Sequence, residues 1–437
     1  MIQGGARLRG ELPVSGSKNA ALPMMAATVL TSGTSIIRNV PALRDIHTFS
    51  QVLEYTGADV SFDPETHILT VDSSGIDTPE APYELVKKMR ASFYMLGALL
   101  GRFGHARVSL PGGCAWGPRP VDLHLRGLEA FGVEIELDQG YVVARARGGR
   151  MRGGYFHLEP SSVGATVNLL LAAVTARGYS RIENAAIEPD VVVFGEALQQ
   201  MGAQISGLGT RTLEIYGVDT LNPLDVTNVP DRIETGTFML LAALAGTQDE
   251  PVAITQAEPE HLGEAFLEAF SATGTPFEIS GSTIYVRAPE VIQPVSIETA
   301  PYPGFPTDLQ AQWTVLLTQA RGNARIKENI YFDRFKHVPE LRRMGANIIV
   351  IGNEAFVEGN TPLKGAHVMS TDLRASVSLV MAGIIAEGET HVLRIYHLDR
   401  GYEQLEKKLA AAGIPVERVT YDEWATPEPH ASTRTHE

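Results

Sequence analysis

The chain has 437 residues, of which 44% are hydrophobic and 20% charged, a composition typical of a globular protein with more than one core. The formal charge of −15 argues against binding of nucleic acid, which requires a broad basic surface. A single cysteine excludes an internal disulfide, and no apolar run reaches the roughly 18 residues of a membrane span. We therefore expect a cytoplasmic protein with no nucleic-acid partner.

One pattern recurs six times along the chain: a nearly apolar helix, a short strand, a more polar second helix and a closing glycine. Helices that are apolar on all sides are buried, so we predict that they lie at the centre with the sheets outside. The apolar helices are predicted at 20–30, 91–100, 165–176, 237–245, 311–320 and 375–386. Polar second helices are predicted at 45–55, 122–131, 338–344 and 401–412, and the closing glycines are Gly57, Gly132, Gly202, Gly274, Gly345 and Gly413.

Six such units are too many for one core, so we predict an α/β fold of two barrel-like domains with three repeats each. The first domain is predicted to cover residues 20–227. The second is predicted to combine residues 1–19 with residues 228–420, because the strand before the first helix can complete the other domain. Residues 421–437 are polar and contain proline, which predicts a disordered tail.

Charged side chains cluster at the starts of the predicted buried helices. Helix N-termini present free N–H groups and the positive end of the helix dipole, so they favour anions and disfavour Lys and Arg. If the repeats point these ends the same way, two facing domains form a cleft for a substrate with several phosphates or carboxylates. The predicted lining is Lys18, Arg90, Arg119, Arg232, Arg374 and Arg400, with Asp231, Glu234 and Asp308 among them. We interpret the hydroxyl groups at these ends as helix caps, at Ser161, Ser162, Thr307 and Thr371.

Cys114 lies in a stretch with neither helical nor strand periodicity, framed by glycines, prolines and Arg119. A neighbouring cation stabilises a thiolate, so this thiol is a candidate catalytic group. The residues alone leave open the alternative that it is an inert loop thiol. No cluster of His, Asp and Glu has the spacing of metal ligands, and no metal site is predicted.

Several motifs together resemble the UDP-N-acetylglucosamine 1-carboxyvinyltransferases, a family of enolpyruvyl transferases. The motifs are SGSKNAAL from Ser15, MRAS from Met89, PGGCA from Pro111, GPRPVDLH from Gly117, PDRIETGT from Pro230, FPTDLQAQ from Phe305 and TDLRAS from Thr371. The resemblance spans about residues 1–420. It implies two inside-out α/β domains with the active site in the cleft between them.

The resemblance also implies a reaction. The family transfers the enolpyruvyl group of phosphoenolpyruvate to the 3′-hydroxyl of UDP-N-acetylglucosamine and releases phosphate, without a cofactor. This is the first committed step of peptidoglycan synthesis, which links the chain to cell-wall biogenesis, cell shape, the cell cycle and cell division. Such an addition and elimination needs an acid and a base.

Residue roles follow from the same motifs. Cys114 matches a proton donor that can also form a covalent adduct with phosphoenolpyruvate, and Asp308 matches the proposed base. Lys18 and Arg400 match catalytic residues that grip phosphoenolpyruvate with Arg119, and Asn19, Arg334 and Arg374 complete that shell. The residues that match contacts to the UDP-sugar are Arg90, Arg119, Pro120, Val121, Asp122, Leu123, Ser162, Val163, Asp308 and Ile330.

Two residues depart from the family pattern. Trp116 stands where an aliphatic residue is usual, and Pro160 replaces a lysine near the uridine diphosphate. Two alternative functions remain open: a shikimate-type enolpyruvyl transferase, and a catalytically weak duplicate that only binds the UDP-sugar. The Gly-Gly-Cys loop disfavours the first, and retention of the residues matched to catalysis disfavours the second.

Overall fold

A computed structural model describes residues 1–111 and 121–420. In this part of the chain, apolar helices fill the interior of the protein, and small β-sheets cover the helices. The α-helices are α1 Lys18–Ala27, α2 Arg44–Thr56, α3 Tyr83–Val86, α4 Met95–Phe103, α5 Asp122–Ala130, α6 Val163–Ala173, α7 Pro189–Gln200, α8 Arg232–Ala245, α9 Glu264–Ala272, α10 Gln310–Thr318, α11 Val338–Arg343, α12 Leu373–Ile385 and α13 Leu405–Ala411. Short 3-10 helices cover Thr28–Leu30, Arg90–Tyr94, Arg147–Gly149, Pro259–Leu262, Thr307–Leu309 and Ile395–Arg400.

The strands are short and come in groups that match the repeats. In chain order they are β1 Ile2–Gln3, β2 Glu11–Pro13, β3 Thr34–Arg38, β4 Asp59–Asp63, β5 Ile68–Asp72, β6 Glu80–Ala81, β7 His105–Ser109, β8 Val133–Asp138, β9 Tyr141–Ala146, β10 Tyr155–His157, β11 Tyr179–Glu183, β12 Gln204–Ser206, β13 Thr212–Tyr216, β14 Asp225–Thr227, β15 Val252–Thr255, β16 Phe277–Ser280, β17 Thr283–Val286, β18 Ile297–Glu298, β19 Ala324–Lys327, β20 Ile348–Ile351, β21 Glu354–Val357, β22 His367–Met369 and β23 Glu389–Leu393.

Each repeat contributes one mixed sheet within the described residues. The orders are β14-β3-β5-β4, β6-β7-β9-β8, β10-β11-β13-β12, β16-β17-β15-β2, β18-β19-β21-β20 and β1-β23-β22. In the four-stranded sheets, the strand after the buried helix pairs in parallel with one neighbour and antiparallel with the other, as β3 does with β14 and β5. The fourth sheet takes its parallel strand from the chain start, because Leu12 of β2 pairs with Ile254 of β15.

The apolar helices are buried as predicted. Every residue of α8 after Arg232 is buried, and α12 is buried from Leu373 to Ile384. Their hydrophobic side chains form two separate clusters. One runs from Ala20 to Leu224, and the other combines Ile2–Val14 with Ile233–Ile414. The α/β prediction with central helices and outer sheets is confirmed, and the domain boundaries remain a prediction.

The closing glycines follow the second helices because the backbone there is left-handed. All six have positive φ angles, between 80° for Gly132 and 105° for Gly202. A left-handed residue after a helix end is most favourable as glycine, because glycine has no Cβ. One second helix was predicted too long: α13 begins at Leu405 rather than at 401, because Gln404 itself adopts a left-handed conformation with φ 45°.

Two chain crossings link the clusters and lie side by side. Gly16 and Pro230 form an antiparallel bridge, Ser17 N–H donates to Val229 O at 2.7 Å and Asp231 N–H donates to Ser15 O at 2.8 Å. The crossings therefore fix the start of α1 beside the start of α8. In the part of the chain that the structure describes, no helix is both long and apolar enough to cross a bilayer.

Candidate active site

Lys18 and Arg400 meet at one carboxylate, although α1 packs in the first hydrophobic cluster and the 3-10 helix Ile395–Arg400 packs in the second. Lys18 begins α1, and its Nζ donates to Asp45 Oδ2 at 3.0 Å. Arg400 ends the 3-10 helix Ile395–Arg400, and its Nε donates to Asp45 Oδ1 at 2.8 Å. Asn19 follows Lys18 in the first turn of α1. Asp45 was missed by sequence reasoning, because its place at the start of α2 gives it no visible signature.

The pKa values of this cluster reflect burial and opposite charge. Desolvation lowers the pKa of the Lys18 ammonium, and Asp45 counteracts that effect. Desolvation alone would raise the pKa of Asp45, but the charges of Lys18 and Arg400 outweigh it and leave the pKa below its usual range. Asp45 is therefore an ionised acceptor that holds two donors.

Asp308 forms the second cluster, with two guanidinium groups. Its Oδ1 accepts from Arg334 at 2.6 Å and its Oδ2 accepts from Arg374 at 3.2 Å. Arg374 is the second residue of the buried helix α12 and also donates to the Tyr402 hydroxyl at 3.2 Å. The Asp308 side chain keeps 29% of its surface exposed, whereas Arg334 and Arg374 are almost fully enclosed. The structure therefore brings together three residues that the sequence placed in the cleft.

Desolvation would by itself raise the pKa of Asp308, but Arg374 and Arg334 hold it well below its usual range. The carboxylate is ionised at neutral pH and can accept a hydrogen bond. In this arrangement it is a weak base, because proton uptake would cost both ion pairs.

Glu328 organises the segments around Asp308 and was also missed by sequence reasoning. Its Oε1 accepts from Ile330 N–H at 2.8 Å, and its Oε2 accepts from the Thr307 hydroxyl at 2.8 Å. Thr307 in turn accepts from Arg334 at 2.5 Å. Glu328 is 2% exposed, and it fixes the predicted contact residue Ile330 relative to Asp308.

Five of the residues matched to UDP-sugar binding lie at the starts of α5 and α6, which pack in the first hydrophobic cluster. Val121 precedes α5, which begins with Asp122 and Leu123. Ser162 caps α6 by accepting from Ala165 N–H at 3.3 Å, and Val163 is the first residue of that helix.

His124 joins these helices. Its Nδ1 lies 2.9 Å from Asn168 Nδ2 of α6, and burial, with the charge of Arg90, lowers its pKa to about 3. The imidazole is therefore neutral, and Arg90, which begins the 3-10 helix Arg90–Tyr94, lies near it.

Other predicted cleft residues have structural partners. Arg232 Nε donates to Asp190 at 3.1 Å, and Glu234 accepts from Lys408 at 2.8 Å. Asp231 caps α8 by accepting from Ile233 N–H at 2.8 Å.

The cap interpretation is confirmed for Ser162 only. Asp372 rather than Thr371 caps α12, Thr307 bonds Glu328, and Ser161 accepts from Arg211 at 3.2 Å. Asp372 occupies the N-cap position that follows Thr371, and the hydroxyl groups of Thr307 and Ser161 bind side chains from other segments instead. Cys114, Trp116, Arg119 and Pro120 lie outside the described residues.

Comparison with known proteins agrees with this architecture. The sequence model of the family described as EPSP synthase (3-phosphoshikimate 1-carboxyvinyltransferase) matches residues 2–409. The chain belongs to the EPSP synthase family. The similarity extends over both hydrophobic clusters and includes both carboxylate clusters.

Within the EPSP synthase family, similar curated relatives carry one name. The chain is 52% identical to UDP-N-acetylglucosamine 1-carboxyvinyltransferase of Chloroherpeton thalassium, with 98% of this chain and 99% of the relative covered. It is also 52% identical to the enzyme of the same name from Chlorobaculum parvum, over 97% of this chain and 99% of the relative. The resemblance drawn from the motifs is confirmed.

Solved structures show the same fold. The enolpyruvyl transferase NikO from Streptomyces tendae superposes with a TM-score of 0.86 at 27% identity, covering 96% of this chain and 98% of that one. EPSP synthase from Acinetobacter baumannii superposes with a TM-score of 0.71 at 17% identity, over 95% of this chain and 99% of that one. The second likeness concerns the fold alone.

Proposed function

We propose that this protein transfers the enolpyruvyl group of phosphoenolpyruvate to the 3′-hydroxyl of UDP-N-acetylglucosamine and releases phosphate. The observation that carries the proposal is a pair of carboxylates that each bind two cations, with Asp45 joining segments of both hydrophobic clusters. Lys18 and Arg400 flank Asp45, while Arg334 and Arg374 flank Asp308. The name shared by relatives with 52% identity supports the choice of substrates.

The phosphate and carboxylate of phosphoenolpyruvate need several cations to be held away from water. Lys18, Arg119 and Arg400 are proposed to bind them, with Asn19, Arg334 and Arg374 completing the shell. Supporting this, the Lys18 and Arg374 side chains are only 10% and 6% exposed, so their charges act in a partly dehydrated region.

The proposed reaction has two balanced steps. First, the 3′-oxygen bonds to C2 of phosphoenolpyruvate, losing its proton to a base, while C3 gains a proton from an acid. Second, phosphate leaves with the electron pair of the C2–O bond, and C3 returns its proton to the conjugate base of the acid, which restores the enol double bond. We assign Asp308 as the base and Cys114 as the proton donor, and propose that Cys114 also forms the pyruvate adduct.

Asp308 needs activation before it can act as a base, because two guanidinium groups depress its pKa. An anionic substrate that draws Arg374 or Arg334 toward itself weakens these ion pairs. The pKa of Asp308 then rises, and its carboxylate becomes a better proton acceptor when the substrate is in place.

The UDP-sugar is proposed to contact residues of both hydrophobic clusters. In the first it contacts Arg90, residues 119–123, Ser162 and Val163, and in the second it contacts Asp308 and Ile330. The start of α6, with its free N–H groups, suits a diphosphate. We place the enzyme in the cytoplasm, at the first committed step of peptidoglycan synthesis, and thereby in cell-wall biogenesis, cell shape and cell division.

Product identification tests this proposal. The purified protein should convert phosphoenolpyruvate and UDP-N-acetylglucosamine to a product whose mass equals the UDP-sugar plus enolpyruvyl in place of hydrogen. Nuclear magnetic resonance should place the new ether at the 3′ position. A product formed from 3-phosphoshikimate instead would assign a shikimate-type transferase, and binding of UDP-sugar without any product would indicate a weak duplicate.

A further inference from the structure

Asp45 lies between two cations that the proposed function assigns to phosphoenolpyruvate. Lys18 Nζ donates to one of its oxygens at 3.0 Å and Arg400 Nε donates to the other at 2.8 Å. The Asp45 side chain is 5% exposed, so water screens these pairs weakly. A carboxylate at this place would repel an anionic substrate unless its charge were already compensated, and two cations compensate it here.

The contact joins the two hydrophobic clusters. Lys18 and Asp45 belong to α1 and α2, whereas Arg400 lies 355 residues after Asp45. The neighbour of Asp45 adds a second contact between the same segments, because the Arg44 guanidinium lies 5.8 Å from the centre of the Tyr396 ring. One carboxylate therefore sets the distance between cations that approach from opposite sides of the cleft.

The charge of Asp45 also maintains the charge of Lys18. Burial lowers the pKa of Lys18, Asp45 raises it, and Arg400 and Arg374 lower it further. Among residues 1–111 and 121–420, Asp45 is the one hydrogen-bond partner of the Lys18 ammonium. Without the Asp45 charge, the ammonium faces only burial and two cations, so it loses its proton at a lower pH.

We propose that Asp45 is a positioning residue that holds Lys18 and Arg400 together, both charged, so that the two cations meet the same anion. The inference rests on the proposed function in taking phosphoenolpyruvate as that anion. Asp45 touches no reacting atom, and its effect on the reaction passes through Lys18 and Arg400.

Direct binding of phosphoenolpyruvate tests this role without requiring turnover. Calorimetric titration across a pH series should show roughly ten-fold or more weaker binding for Asp45→Asn near neutral pH, because one partner of a buried charge cluster is lost. The pH above which binding is lost, here called the alkaline limit, should be lower in Asp45→Asn than in the wild-type protein. Asp45→Glu keeps the charge and should recover much of the affinity. Affinity for UDP-N-acetylglucosamine should change less than about two-fold in both variants.

Asp190→Asn is the matched control. Asp190 is also buried and also bridges the clusters, through Ser17 at 2.6 Å and Arg232 at 3.1 Å, but neither bond involves Lys18 or Arg400. This control should lower the melting temperature without moving the alkaline limit of phosphoenolpyruvate binding. An equal shift in both variants would make Asp45 merely structural and overturn the inference.

Wild-type affinity and an unmoved limit in Asp45→Asn would also overturn it, as would a wild-type protein that binds no phosphoenolpyruvate. Failure of the proposed function has a different signature. The wild-type protein would then bind phosphoenolpyruvate but form no product with UDP-N-acetylglucosamine, while the comparison of Asp45 variants would still decide the positioning role.

Discussion

At the residue scale, the chemistry depends on side chains whose ionisation is set by their neighbours. Asp308 between Arg334 and Arg374 and Asp45 between Lys18 and Arg400 are two carboxylates in similar cation-rich surroundings. Asp308 is more exposed than Asp45, with 29% against 5% of its side-chain surface accessible. The more accessible carboxylate suits proton transfer to a substrate, and the enclosed one suits positioning.

Asp308→Asn should lower kcat by roughly 100-fold or more, the usual size of a general-base contribution, while UDP-sugar affinity changes little. The variant keeps the size of the side chain but cannot accept the proton of the 3′-hydroxyl. Stopped assays and UDP-sugar titration measure the two effects. A variant with unchanged kcat and reduced melting temperature would show that Asp308 only neutralises Arg334 and Arg374.

Cys114→Ala should lower turnover by orders of magnitude while UDP-sugar binding survives, because the proposed proton donor is lost. An epoxide analogue of phosphoenolpyruvate should add one equivalent of mass to the wild-type protein in the presence of UDP-sugar and none to the variant. Intact-mass spectrometry reads both results. Near-normal rates in Cys114→Ala would remove the thiol from the mechanism.

Acid should destabilise the protein partly through His124. Its folded-state pKa is about 3, against 6.5 in the unfolded chain, so between these values the unfolded state binds more protons. The free energy of unfolding should therefore fall as the pH decreases from about 6.5 toward 3. His124→Gln, which retains a polar partner for Asn168, should show a smaller loss of melting temperature on acidification. Identical losses would contradict the depressed pKa.

At the element scale, the repeat pattern made much of the fold predictable. Buried helices such as α8 and α12 lack a polar face, and glycines such as Gly57 and Gly202 end the second helices in left-handed geometry. These properties are local, so the sequence displays them. The positions of Asp45 and Glu328 depend on how distant segments pack, and no local pattern reveals such partners.

The same limit applies to helix ends. A Ser or Thr before a helix predicts a cap, but Thr371 loses that place to the adjacent Asp372, and Thr307 bonds Glu328 from another segment. The motif resemblance, by contrast, assigned Asp308, Arg334 and Arg374 to one active site, because a family motif carries information on distant contacts. The structure shows the partners that lie outside these motifs, Asp45 and Glu328.

Close packing between buried helices gives a prediction for Gly97 of α4. A Cβ placed there would lie 2.2 Å from the Asn168 backbone oxygen of α6, so Gly97→Ala should destabilise the protein by about 1–3 kcal/mol. Ala98→Gly in the same helix is the comparison variant, which opens space instead of filling it, and should cost about 2 kcal/mol from helix propensity and the loss of a buried methyl group. Denaturant unfolding compares the two. A Gly97→Ala variant as stable as the wild type would show that the helices can separate without cost.

At the scale of the whole molecule, the two hydrophobic clusters contact each other through polar groups. Besides the Asp45–Arg400 pair, Arg232 binds Asp190 at 3.1 Å and Arg211 donates to the Tyr302 backbone oxygen at 3.2 Å. Ionic contacts between domains are weaker than a shared apolar core and allow relative motion. The cleft is therefore expected to change its width with the ligand.

UDP-N-acetylglucosamine should close this cleft, because its proposed contacts come from both clusters and can be made together only when the clusters approach. X-ray scattering should show a smaller radius of gyration with the UDP-sugar. Uridine monophosphate, which lacks the second phosphate and the N-acetylglucosamine group, is the control and should produce less change. An unchanged radius at saturating UDP-sugar would mean that the clusters are already fully closed.

The central claim is that this cleft joins phosphoenolpyruvate to a UDP-sugar. The most direct measurement is the rate of phosphate release from phosphoenolpyruvate with UDP-N-acetylglucosamine, with 3-phosphoshikimate, and with no acceptor. We predict rapid release that depends on UDP-N-acetylglucosamine and background release in the other two reactions. Release that is indifferent to UDP-N-acetylglucosamine, or that requires 3-phosphoshikimate, would contradict the account.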